Sequence, residues 1–71
     1  MIYQLWDTES ANLIAWFSSE EEALHEVRAT FAEFGAAAAL ALALSSRDPS
    51  GHREAIAAGQ ALIDLAFGVR A

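Results

Sequence analysis

The sequence predicts a small α+β domain with the order ββα(β)βα, in which an antiparallel sheet of three to four strands carries two helices on one face. Two short segments rich in β-branched and aromatic residues lie near the start of the chain, at residues 2–7 and 12–17. A capped amphipathic segment runs from Ser19 to Gly35, and leucines then alternate with alanines up to Leu44. At 71 residues the chain has the length of a single domain, residues 1–71.

The first two segments predict a β-hairpin. Ile2 to Asp7 and Asn12 to Phe17 flank a polar stretch whose composition is typical of a turn. Asn12 is the residue in this stretch best suited to a positive φ, so we expect it to take that conformation at the reversal. The turn type and the exact register stay open at this stage.

A helix is predicted to begin after Ser19. Ser-x-x-Glu from Ser19 to Glu22 is a capping box, and the intervening glutamates put negative charge at the positive end of the helix dipole. Gly35 is the residue that most easily ends a helix in a left-handed conformation. An apolar stripe at helical spacing is expected to pack on the sheet; its members are Leu24, Val27, Phe31 and Phe34.

The segment from Ala36 to Leu44 carries two conflicting signals. Alanine has the highest helix propensity, whereas the leucines at positions 40, 42 and 44 recur with the period of a strand. A strand places all three leucines on one face, and a helix does not. We therefore favour a strand for Ala36 to Leu44, with a helix as the open alternative.

The rest of the chain predicts a turn, a short strand and a second helix. Arg47 to Gly51 has the composition of a turn, and His52 to Ala57 is a possible fourth strand. Gly59 to Phe67 carries apolar residues at helical spacing and is followed by Gly68, which marks its end. In the alternative interpretation, residues 55–58 are already the first turn of that helix.

Charge and hydropathy exclude several classes of partner. Ten Asp and Glu residues against four arginines give a net charge of −6, so nucleic acids and anionic lipid surfaces would repel the chain. No apolar run approaches the roughly 18–20 residues of a membrane span, and the N-terminus lacks the basic start of a signal peptide. We expect a soluble, cytoplasmic protein, and the absence of cysteine is compatible with that compartment.

Catalytic, cofactor-binding and metal-binding residues are not predicted. His25 and His52 do not stand in metal-ligand spacing, and the glycines are isolated rather than grouped in a phosphate-binding loop. Asp7 and Glu9 are neighbouring carboxylates, but an Asp that stabilises its own turn is the favoured interpretation of Asp7. None of the serines stands in a Gly-x-Ser-x-Gly elbow. The sequence thus leaves an enzyme undecided and favours a non-enzymatic role.

Several segments carry a resemblance to a group of small uncharacterised bacterial proteins. They are Tyr3-Gln4-Leu5-Trp6-Asp7, Asn12-Leu13-Ile14, Ser19-Glu20-Glu21-Glu22-Ala23-Leu24 and Ile56-Ala57-Ala58-Gly59. This resemblance implies a compact ββα start and no established activity. In topology the chain also looks more loosely like HicB-like antitoxins, which implies a hairpin, a helix and a further strand.

Self-association is the strongest functional expectation. A core of this size supplies only roughly 3–5 kcal/mol, and the chain has no cysteine to supplement it. Both faces of the hairpin are apolar, and such a sheet needs cover on both sides. We therefore expect a homodimer, with possible heterologous protein partners, that serves as an interaction or regulatory module. The candidate interface residues are Tyr3, Leu5, Trp6, Ile14 and Trp16.

A small-ligand-binding protein or minor enzyme is the alternative. It would require a pocket between the sheet and the helices, lined by Trp6 or Trp16 with Asp7 as the polar group.

Overall fold

The computed structural model describes residues 1–69 and contains an antiparallel sheet of four strands in the order β2-β1-β3-β4. The strands are β1 (Ile2–Asp7), β2 (Asn12–Phe17), β3 (Leu42–Arg47) and β4 (Arg53–Ala58). The helices are α1 (Glu20–Phe34), the short α2 (Ala36–Leu40) and α3 (Gly59–Phe67). This architecture confirms the predicted α+β class and the fourth strand, and it adds α2 to the two expected helices.

The hairpin has the predicted strands but a different turn residue. The Asp7 carboxylate accepts hydrogen bonds from the Glu9 backbone N–H at 3.1 Å and from the Ser10 hydroxyl at 2.8 Å. This Asx-type turn reverses the chain early, so the positive φ of 57° falls on Ala11. Asn12 is already in β2, where it pairs with Asp7. The prediction of a positive φ at Asn12 is therefore wrong.

Helix α1 begins and ends where the sequence predicts. The Ser19 hydroxyl accepts a hydrogen bond from the Glu22 backbone N–H at 3.2 Å, and Gly35 ends the helix with φ at 92°. The Glu22 carboxylate engages the N–H and hydroxyl of Ser18 rather than the N–H of Ser19, so the capping box is displaced by one residue. Leu24 and Val27 of the predicted stripe belong to the core cluster. Phe31 lies outside that cluster, against Phe67, and Phe34 is 69% exposed, so only the first half of the stripe packs as predicted.

Residues 36–44 contain both of the structures that competed in the sequence. Ala36–Leu40 form α2, and β3 begins at Leu42 after Ala41. The prediction of a strand is thus wrong for residues 36–40, where the run of alanines favours a helix. Leu42 and Leu44 are buried on one face of β3, as the alternation predicts, whereas Leu40 is exposed.

The C-terminal part resolves the remaining alternative. Residues 55–58 belong to β4, so they are not the first turn of the last helix. Gly59 has a φ of 58°, a conformation that lets the chain change from strand to helix at this point. Gly68 ends α3 in the left-handed region at a φ of 72°, as predicted.

The core lies between one face of the sheet and the helices. Leu5 and Leu44 are direct cross-strand partners on neighbouring strands, and each is only 1% exposed. Side chains of α1 and α3 complete the same cluster; they are Ala23, Leu24, Val27, Leu62 and Ala66. The opposite face of the sheet takes no part in this cluster.

Candidate functional site

The face of the sheet that points away from the core is the candidate site, and we call it the open face. Cross-strand partners share a face, so the observed register defines its members. They are Ile2, Gln4 and Trp6 of β1, Leu13 and Trp16 of β2, Ala43, Ser45 and Arg47 of β3, and Arg53, Ala55 and Ala58 of β4. Trp16 is 65% exposed, and Ile2 and Leu13 are also exposed.

Trp6 lies across the middle of this face. Its indole Nε1 donates a hydrogen bond to the Ser45 hydroxyl oxygen at 3.0 Å. The guanidinium carbon of Arg53 lies 5.3 Å from the centre of the indole ring, which is within the range of a cation–π contact. Trp6 belongs to β1 and Arg53 to β4, and β3 lies between these two strands. The ring and the guanidinium therefore meet above β3, where small serine and alanine side chains leave room. One tryptophan is therefore fixed in place, while Trp16 projects outward.

A groove of about 260 Å³ lies between the two ends of the open face. Its walls are Ile2, Leu13, Trp16 and Arg47, and Gln4 forms its floor. Gln4 is only 8% exposed, and its Oε1 has no hydrogen-bond partner within residues 1–69. A buried acceptor without a partner costs free energy, so Gln4 places an unsatisfied hydrogen-bonding atom beneath this groove.

The charge of the open face is opposite in sign to that of the whole protein. The chain carries a net charge of −6, and acidic residues are concentrated on α1. None of the residues that define the open face is acidic, and Arg47 and Arg53 are direct cross-strand partners at one of its ends. The third described arginine, Arg28, instead forms an ion pair with Glu21 at 2.6 Å. The open face is thus an apolar surface with a basic group of residues, Arg47 and Arg53, at one end of its strands. We call this end the basic edge.

The turn next to this basic edge holds its carboxylate by local hydrogen bonds. Asp48 accepts from the Ser50 hydroxyl at 2.6 Å, from the Ser50 N–H at 3.0 Å and from the His52 N–H at 2.9 Å. The Ser50 hydroxyl is the largest cause that holds the pKa of Asp48 below its ordinary value of 3.8, and the backbone bonds add to it. Asp48 is therefore ionised and already engaged within its own turn.

The predicted interface residues fall on different sides of the sheet. Trp6 and Trp16 lie on the open face, and Ile14 is the extra residue of a bulge in the edge strand β2. Leu5 is buried in the core, and Tyr3 packs against that core, so Leu5 is not accessible to a partner. Sequence alternation groups Gln4 with Trp6, but the contributions of Ser45, Arg47 and Arg53 depend on a register that the sequence does not reveal.

The other candidate residues do not converge on a reactive arrangement. His25 lines a shallow groove of about 480 Å³ together with Phe17 and the α1 glutamates, and His52 is exposed in the β3–β4 turn. Asp7 stabilises its own turn, as predicted, and Glu9 is exposed at the hairpin tip. Among residues 1–69, no group of three or more His, Cys, Asp or Glu side chains is placed to hold a metal ion.

A second set of exposed apolar side chains lies on the helical side. Phe34 of α1 is exposed beyond Phe31, whose ring contacts that of Phe67 edge-on at 5.3 Å between centroids. Exposed Leu65 and Val69 continue this set along the C-terminal part of the described chain. Any test of the open face therefore needs a control on this helical side.

Comparison with protein-family models, curated proteins and solved structures finds no match to this chain. In the described part of the chain, none of the helices has the length and hydrophobicity that crossing a membrane requires.

Proposed function

We propose that the protein is a non-enzymatic protein-interaction module that acts as a homodimer, with the open face as its contact surface. The observation that carries this proposal is the exposure of Trp16, at 65%, on a sheet face that also presents Ile2 and Leu13. Exposed apolar groups of this kind, arranged on one continuous face, mark interaction sites. Tryptophan is also among the residues most enriched at interface hot spots.

The expected contribution of Trp16 follows from its exposed area. A buried aromatic side chain covers about 150–250 Å², so the 65% of Trp16 that is exposed corresponds to roughly 100–160 Å². At about 25 cal/mol per Å², burying that area contributes roughly 2.5–4 kcal/mol for each copy before the costs of association. A single side chain can therefore dominate the affinity.

The size of the open face sets the expected strength of the dimer. Four strands spaced by about 4.8 Å, each about 20 Å long, give a flat area of roughly 400 Å². Side-chain relief raises the buried area above that value, but it stays at the small end for stable interfaces. We expect dissociation in the micromolar range, so the oligomeric state has to be measured as a function of concentration.

Analytical ultracentrifugation from low to high micromolar concentration tests this proposal on three chains. The wild type is expected to dimerise, and Trp16→Ala is expected to remain monomeric. Phe34→Ala is the matched control, because Phe34 is an equally exposed aromatic residue on the helical side, and it should dimerise like the wild type. Far-UV circular dichroism confirms that each variant is folded. A wild type that is monomeric throughout, or a dimer that is lost only with Phe34→Ala, would refute the proposal.

Small-ligand binding is the second candidate function, and the groove with the unpartnered Oε1 of Gln4 favours it. Ligand pockets commonly enclose about 300–1,000 Å³, and the groove of about 260 Å³ at Gln4 falls short of that range. The shallow groove of about 480 Å³ beside α1 is large enough, but neither tryptophan nor Asp7 lines it. The space that the sequence analysis reserved for a ligand, between sheet and helices, holds the packed core side chains. These observations make the homodimer the better supported function.

A further inference from the structure

The basic edge of the open face contains an unfavourable pair of charges. Arg47 and Arg53 stand directly opposite each other on neighbouring strands, and like charges in such positions repel. The indole of Trp6 compensates Arg53 in part. Arg47 forms no ion pair with any residue in the range 1–69, and neighbouring Asp48 is engaged in its own turn. The edge around Arg47 therefore favours an external carboxylate.

The opposite end of the sheet presents such a carboxylate. Glu9 is exposed at the tip of the β1–β2 turn, and its side chain forms no ion pair within the described residues. The oxygens of Asp7, by contrast, accept hydrogen bonds inside that turn. Arg47 is at the end of β3 that pairs with Ile2, the start of β1, whereas Glu9 follows the end of β1. Each copy thus carries a basic group and an acidic group at opposite ends of its strands.

Two copies can stack open face to open face, with their strands aligned, in two twofold-symmetric arrangements. The charge pattern distinguishes these two arrangements. A twofold axis along the strands places both basic edges at the same end of the stack and gathers four arginines there. An axis across the strands reverses the strands of the second copy and places its acidic turn over the basic edge of the first. Like-charge juxtaposition across an interface is strongly unfavourable, so the charges select the reversed arrangement.

We infer that a second copy covers the open face with its strands reversed, so that Glu9 of each copy pairs with Arg47 of the other. This inference rests on the proposed homodimer and specifies its geometry. An axis across the strands superposes each strand on its counterpart. Glu9, in the β1–β2 turn, is then offset from β3 by between one and two strand spacings of about 4.8 Å, a lateral distance of about 5–10 Å that the Arg47 and Glu9 side chains span together. In the same arrangement β2 of one copy lies over the reversed β2 of the other. Each Trp16 therefore lies over the Leu13 of the other copy.

Charge reversal at one or both positions of this ion pair tests the geometry. Glu9→Arg and Arg47→Glu each replace two symmetry-related attractions by repulsions, and each is expected to weaken dimerisation about tenfold at low salt. The double variant carries both changes in one chain and should recover an affinity within about threefold of the wild type, because its pairs are restored with exchanged signs. Glu33→Arg changes the net charge as Glu9→Arg does, but at an exposed position of α1 away from the open face, and should leave the affinity unchanged.

A mixture of the two single variants provides the sharper readout. Each variant repels its own copy, whereas the mixed dimer contains two attractive pairs, so native mass spectrometry should show an excess of heterodimer over the statistical ratio. The excess should shrink in 1 M salt, where the screening length is only about 3 Å.

The failure of this inference can be told apart from the failure of the proposed function. A wild-type dimer whose affinity is unaffected by both single variants, with a statistical mixture, overturns the reversed arrangement and leaves the homodimer standing. A wild-type chain that is monomeric at every concentration overturns both.

Discussion

Replacing Gln4 by methionine is expected to stabilise the monomer. Gln4 is 8% exposed in an interior strand, and its Oε1 has no partner within residues 1–69. A buried acceptor left without a hydrogen bond costs about 1–3 kcal/mol, which Gln4→Met removes. Methionine is flexible and close to glutamine in shape, and volume-conserving changes cost less than about 1.5 kcal/mol. We expect the free energy of unfolding to rise by about 1–2 kcal/mol.

Urea unfolding followed by far-UV circular dichroism measures this change, at a protein concentration well below the dissociation constant of the dimer. With a slope of about 1 kcal/mol/M, the low end for small proteins, the midpoint should rise by about 1–2 M. Gln60→Met is the matched control, because Gln60 is exposed and its amide contacts only Asp64 at 2.9 Å; we expect a change within about 0.5 kcal/mol. A lower midpoint for Gln4→Met would show that the side-chain Oε1 of Gln4 has a hydrogen bond in solution. That result would refute the claim that this atom is unsatisfied.

Four further substitutions test the fold. Ala11→Gly should raise the free energy of unfolding, measured in urea, by about 1 kcal/mol, because Ala11 holds a left-handed φ of 57° that glycine adopts without strain; an unchanged free energy of unfolding would contradict this. Ser19→Ala removes the N-cap of α1 and should cost about 1 kcal/mol in the same assay. Leu44→Ala opens a cavity in the core and should cost about 2–5 kcal/mol, measured by thermal or urea unfolding. Asp48 has a lowered pKa, so its contribution to stability is complete above its ordinary value of 3.8 and is lost as the pH falls through its folded pKa. In Ser50→Ala, an NMR titration of the Asp48 carboxyl should show this pKa moving up towards its ordinary value.

Local signals in the sequence predict most of the secondary structure. The capping serine, the helix-ending glycines and the β-branched and aromatic composition of the hairpin strands all act within a few residues, and each element that depends on them has the predicted bounds. The prediction of a single strand for residues 36–44 fails because this segment contains two local signals, the helix propensity of alanine and the alternation of the leucines. The high helix propensity of the alanines produces α2, and the burial of Leu42 and Leu44 on one face produces the strand β3.

The composition of the candidate site depends on non-local pairing and was only partly predictable. The hairpin has apolar residues on both faces, so its own sequence does not decide whether Leu5 or Trp6 points inward. That choice depends on β3, because Leu44 pairs with Leu5 and the two together form the centre of the core. The basic edge depends in the same way on the register of β3 with β4, which brings Arg47 opposite Arg53.

The two bulges of the sheet interrupt its edge strands at the same level. Ile14 is the extra residue of β2 beside Leu5, and Ile56 is the extra residue of β4 beside Leu44, the cross-strand partner of Leu5. β2 has no charged residue and no proline, a composition that otherwise invites strands of other molecules to add to an exposed edge and grow into filaments. A bulge twists such an edge and breaks its regular ladder of hydrogen bonds. We therefore expect the irregularity at Ile14 to hinder the addition of further strands to this edge, although β2 carries no charge.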